Sequence, residues 1–105
     1  MSSEQGTNSD LVQRTKAFAL RVIRVYSSLP KNAVAKTLGH QLLRSGTSVG
    51  AQYREGRRAR SPAEFVSKLK SAMQELEETE YWLDLIVEAE LLPASRLAPL
   101  RDEAE

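Results

Sequence analysis

Arg54, Arg57, Arg58 and Arg60 are the residues of this chain whose type and spacing best suit chemistry with a ligand. On a helix the first three stand at i, i+3 and i+4, so their guanidinium groups share one face. A guanidinium is planar and always charged, and its fork donates two hydrogen bonds to two oxygens of a phosphate. The phosphate backbone of RNA or DNA is the ligand such a face suits, and Arg44 belongs to the same basic stretch. A plainer explanation stands beside this one. Helix C-termini favour cations, and arginines also pair with carboxylates of the same or a neighbouring subunit. On spacing alone the two readings weigh equally.

The other candidates carry less. Gly46-Thr47-Ser48-Val49-Gly50 resembles a phosphate loop in composition, but it lacks the Gly-Lys-Ser/Thr ending and a preceding strand. Its glycines are better read as close packing of helices. Arg44 and Gln52 beside them do not suit a lipid setting for the GxxxG pattern. Seven acids between Glu75 and Glu90 invite a di-iron carboxylate reading, yet His40 is the only histidine and lacks the Glu-x-x-His spacing. Ser45 and Ser48 have no neighbouring base to activate them. Tyr81 and Trp82 lie within an apolar helix face, which suits core or interface anchors more than base-stacking platforms. No catalytic residue, metal or cofactor is expected.

Charge divides the chain in two. Residues 11–60 hold eleven Lys/Arg against one acid, Glu55, whereas residues 61–105 hold four against eleven, although the whole chain nets +1. Its 105 residues suffice for one domain with a modest core. There is no cysteine, so disulfides and thiolate metal sites are excluded. The opening MSSEQGTNSD has no basic stretch leading into an apolar run, and no segment approaches the roughly 20 apolar residues that span a bilayer. A cytoplasmic protein with no membrane partner is expected.

Helices must position these residues. Residues 1–9 are polar and are expected to be a disordered tail, with the domain over 10–105 and Ser9 or Asp10 capping a first helix. Leu11, Thr15, Phe18, Val22, Val25 and Leu29 then recur at steps of 4 and 3, the seam spacing of a packed helix, until Pro30 ends it. Asn32 can cap a second helix running from about Ala33 to Arg58. Its seam is Ala35, Gly39, Leu42, Gly46, Val49, Tyr53 and Gly56, and a second line of Leu43, Gly46, Gly50 and Tyr53 predicts contact on two sides. Each glycine costs about 1 kcal/mol against alanine in a helix, so close approach of a neighbouring backbone is the expected reason for them. Ser61-Pro62-Ala63-Glu64 predicts a capped third helix with a capping box, closed at Leu92 by Pro93. The remaining ASRLAPLRDEAE allows a short fourth helix weakened by Pro99. The fold class is all-α: an up-down four-helix bundle of three long helices and a short fourth. Its surplus apolar surface predicts self-association, with Gly39, Gly46, Val49, Gly50, Tyr53, Tyr81 and Trp82 as helix-packing or oligomer-interface residues.

The run Leu42-Leu43-Arg44-Ser45-Gly46-Thr47-Ser48-Val49-Gly50-Ala51-Gln52 with Glu55-Gly56, then Glu64-Phe65, Lys68-Leu69 and Glu78-Thr79-Glu80-Tyr81-Trp82-Leu83, resembles the four helix bundle protein family. That family is also called the 23S ribosomal RNA intervening-sequence proteins. Relatives include accessory variability proteins encoded beside the reverse transcriptases of diversity-generating retroelements. The similarity covers about residues 11–92, with Gln52 where the family usually has asparagine and a fourth helix shorter than is typical. The resemblance implies a barrel-shaped homopentamer and, for the retroelement relatives, a basic surface that engages nucleic acid and a partner reverse transcriptase. For most stand-alone members it implies no settled function.

Together these readings describe a non-enzymatic, homo-oligomeric bundle that binds RNA or DNA as an accessory factor, through Arg44, Arg54, Arg57, Arg58 and Arg60. The alternative is a scaffold without nucleic-acid binding, whose charge asymmetry serves subunit assembly or protein docking.

Overall fold

The computed structural model describes residues 3–104, with side chains from Asp10 onward. Four helices follow one another: α1 Ser3–Ser28, α2 Ala33–Arg57, α3 Pro62–Glu88 and α4 Ala94–Ala104, and the described residues contain no strand. Consecutive helices pack together and α4 returns to α1, closing a ring of four in which the diagonal backbones stay apart. With 11 residues against 27, α4 covers less than half the length of α3.

The seam spacing places the core. Val22, Leu42, Leu83, Ile86 and Leu97 are fully enclosed, each contributing about 1.5–3 kcal/mol by removal from water. Ser45 and Thr79 are the buried polar pair between α2 and α3, hydrogen-bonded to each other at 2.9 Å. The two-sided use of α2 is visible in its glycines. A Cβ on Gly46 would lie 2.6 and 2.8 Å from the methyls of Val22, and one on Gly39 would lie 2.8 Å from Leu29 Cδ1. At Gly50 the nearest atom is Thr15 Oγ1 at 3.2 Å, so all three glycines face α1. Gly56 faces α3 instead, 3.2 Å from Lys68 Cβ. These gaps are filled from within the chain, and Val49 and Tyr53 are buried with them. At the glycines this is helix packing within one chain. Of the same set, Tyr81 is exposed and Trp82 is half-buried.

Local signals set most boundaries. Asn32 Oδ1 accepts from the Ala35 N–H at 2.9 Å and caps α2. Ser61 Oγ accepts from the Glu64 N–H at 3.1 Å, with Pro62 at the first helical position. The return half of this capping box is displaced by one residue, since Glu64 Oε2 accepts from the Arg60 N–H at 3.3 Å. The helix start expected at Ser9 or Asp10 is corrected: α1 begins at Ser3. Nothing between Ser3 and Asp10 forbids it, because the stretch has no proline and only one glycine. Of the tail expected over residues 1–9, Met1 and Ser2 lie outside the described residues, as does Glu105 at the other end.

The end of α3 is also corrected, from Leu92 to Glu88. Glu90 adopts φ 59°, the Glu90 N–H donates to Val87 O, and the Leu91 N–H donates to Ile86 O. That is a Schellman termination with glutamate in the left-handed position where glycine is usual. It turns the chain so that Leu92 is buried and α4 docks Leu97, Leu100 and Ala104 into the core. Arg21 pairs with Glu103 at 2.9 Å and Arg101 pairs with Asp84, holding α4 against both neighbours.

Two expected outcomes follow from this packing. Gly46→Ala should lower thermal stability even though alanine is the better helix former by about 1 kcal/mol, because Val22 is rigid and enclosed. In a Val22→Ala background the same substitution should cost less than in the native chain, and a higher Tm for Gly46→Ala alone would refute the close contact. Glu90→Gly should raise stability by about 0.5–1 kcal/mol in thermal melts, since a left-handed non-glycine residue is strained. An unchanged or lower Tm would count against that strain.

Candidate nucleic-acid interface

The last turn of α2 carries Arg54 and Arg57, and Arg58 is its C-cap, with its backbone N–H directed at Glu55 O and Gly56 O. Cations are at home there because the helix dipole presents its negative end. The three arginines line an open cleft of about 350 Å³ together with Val12 of α1. Arg57 and Arg60 also border a neighbouring concavity of about 530 Å³, at the turn where Pro62 and Phe65 open α3. The arginines grouped by spacing are therefore grouped in space, and Arg57 joins the two hollows.

Their electrostatic situation differs from that of the other basic residues. Among the described residues, no carboxylate pairs with the side chains of Arg54, Arg57, Arg58 or Arg60. Glu55 is the one acid between Leu11 and Arg60, and it is turned away to Lys68 of α3 at 2.6 Å. Arg44 stands apart from the cluster. Its guanidinium pairs with Glu75 at 3.3 Å and Glu78 at 3.0 Å, so this sequence-based phosphate candidate is occupied by α3. Exposed pairs of this kind contribute about 0–1 kcal/mol each, which makes them sorters of charge more than sources of stability.

Other candidates take structural places. Ser45 is buried against Thr79, and Ser48 Oγ donates to Arg44 O at 2.7 Å. His40 stacks on Tyr26 with ring centroids 5.8 Å apart. Tyr81 meets Trp82 edge-on at 5.1 Å, and the Trp82 Nε1–H is enclosed without an acceptor among the described residues. No group of three His, Asp or Glu side chains among the described residues could hold a metal ion. No helix among them is long and apolar enough to cross a membrane. Val12 is the cleft residue that spacing missed. Its signal is the absence of any acid from Leu11 to Arg54, which makes the α1 flank beside the arginines as basic as α2.

Fold and surface define a small all-α bundle with a cleft of three arginines that have no carboxylate partner among the described residues. The chain matches the family model for the 23S rRNA-intervening sequence protein over residues 7–105, and it belongs to that family. The match reaches beyond residues 11–92 to take in the short α4. Among solved structures it is similar to a protein of unknown function from the S23 ribosomal protein family of Bacteroides thetaiotaomicron. The two share 34% identity over 89% of this chain and 86% of that one, with a TM-score of 0.83. The comparison with curated proteins returns no match.

Proposed function

We propose that this protein is a non-enzymatic, homo-oligomeric accessory factor that binds the phosphate backbone of RNA or DNA. Arg54, Arg57 and Arg58 make the contacts, Arg60 extends them at the α2–α3 turn, and the basic residues of α1, which has no acid from Leu11 onward, supply long-range attraction. One observation carries the reading: three guanidinium groups share a cleft with no carboxylate partner among the described residues, while the nearest acid in sequence is held elsewhere by Lys68. The family's description points to an RNA context, and the resemblance to retroelement relatives suggests five subunits and a polymerase partner. The serines and the histidine are engaged in packing and backbone bonds, which supports a binding role over catalysis.

A second reading has its own observation. Arg44 bridges to Glu75 and Glu78 within one chain, so the same complementarity between chains could drive assembly of a scaffold. Exposed Tyr81 sits beside these acids as an apolar anchor for such a contact.

Binding of RNA and DNA followed by fluorescence anisotropy across a salt series separates the two. Each neutralised phosphate adds about 0.9 to the log–log slope on duplex DNA and about 0.7 on single strands. Replacing Arg54, Arg57 and Arg58 by glutamine should reduce that slope by roughly 2–3 per subunit on duplex DNA, with helicity and assembly mass unchanged. Loss of assembly in the same variant, or intact assemblies that bind neither polymer at low salt, would decide for the scaffold. Light scattering on these samples supplies the mass, and a concentration-independent value near the 11.7 kDa of one chain would remove self-association from the reading.

A further inference from the structure

A second arginine cleft lies between α1 and α4, with a volume of about 260 Å³. Arg21 and Arg24 reach it from α1 and Arg96 from α4, while Val25 and Pro99 contribute apolar surface above the buried Leu92 and Leu97. No acid lines it. Arg21 is paired with Glu103, whereas Arg24 and Arg96 have no carboxylate partner among the described residues. Three guanidinium groups and one carboxylate leave two positive charges unmatched.

The position of Arg96 sharpens this. It stands in the first turn of α4, which contains no acid. The positive end of a helix favours an anion there and disfavours a cation by about 0.3–1 kcal/mol. An anion brought from outside satisfies both the dipole and the two unpaired arginines. A carboxylate would neutralise one charge, but a phosphate monoester carries about −1.5 to −2 at neutral pH and accepts the forks of two arginines at once. The volume falls just below the roughly 300–1,000 Å³ of ordinary ligand pockets, so the cleft accommodates the phosphate and the adjoining part of its bearer. Apolar side chains and the flat faces of guanidinium groups suit a planar or apolar body.

We infer that the α1–α4 cleft binds a phosphate monoester on a planar or apolar body, supplied by a free nucleotide or by the 5′-phosphate end of a strand. It shares no lining residue with the Arg54–Arg57–Arg58 cleft, so the two assignments fail separately.

Calorimetric titration of the full chain at low salt tests it with two matched pairs: adenosine monophosphate against adenosine, and a 5′-phosphorylated short oligonucleotide against its 5′-hydroxyl twin. Phosphate-dependent binding in the first pair identifies the free nucleotide, and in the second the strand end. The Arg24→Gln, Arg96→Gln double variant should weaken that phosphate-dependent binding about tenfold or more. Arg24→Lys with Arg96→Lys, which keeps charge but loses the forks, should fall between. The glutamine variant at Arg54, Arg57 and Arg58 should leave the phosphate dependence in place. Absence of phosphate dependence in both pairs would overturn the inference. So would its persistence in the double variant with helicity intact, or its loss in the Arg54–Arg57–Arg58 variant.

Discussion

The close approach of α1 to the small-residue face of α2 is the contact on which this structure depends. At Gly46 the space a side chain would need is already taken by the two methyls of Val22, and Gly39 and Gly50 repeat the arrangement toward Leu29 and Thr15. Three glycines in a helix cost about 3 kcal/mol in propensity against alanine, so the packing they permit must offset that. Enclosure of Val22 and Leu42 is of the right size to do so. The same approach has a functional consequence. It sets Val12 of α1 beside the final turn of α2, and the arginine cleft exists between them.

The second organising constraint is that α2 lies between two helices of opposite charge. On one side is α1, with no acid from Leu11 to its end, and on the other is α3, with six acids from Glu75 to Glu88 in its C-terminal half. Charges near the α2–α3 contact find partners, as Arg44 does with Glu75 and Glu78 and Glu55 does with Lys68. Those at the α2 terminus on the α1 side find none among the described residues. Each exposed pair is weak, but the segregation leaves a one-signed surface, and such a surface concentrates and steers an oppositely charged polymer. The basic and acidic halves visible in the sequence thus become separate faces of one bundle because α2 is shared between them.

Much of this was legible from residue types and spacing, and the exceptions are instructive. The seam steps of 4 and 3 located the core, while Asn32 and Ser61-Pro62 located helix starts, because caps and packing periodicity are local properties. The end of α3 was not legible, since glutamate at position 90 carries no signal for a left-handed turn. Its conformation is sustained by the burial of Leu92 and the docking of α4 beyond it. The role of α4 was hidden for the same reason: Leu97, Leu100 and Ala104 look like a fragment of a helix until the space between α1 and α3 is seen. For the site, i, i+3, i+4 spacing grouped Arg54, Arg57 and Arg58 correctly. It said nothing of Val12, of the pairing that occupies Arg44, or of Arg24 and Arg96, which stand far apart in sequence and share a cleft.

The central claim, the proposal that nucleic acid lies against the α1–α2 face and away from acidic α3, is tested most directly by photo-crosslinking the full chain to RNA at low salt. Mass spectrometry of the digest then maps the adducts. The account predicts adducts on peptides containing Val12 and Arg54–Arg60, with peptides spanning Glu75–Glu88 unmodified. Adducts centred on α3, or spread evenly over all four helices, would contradict it.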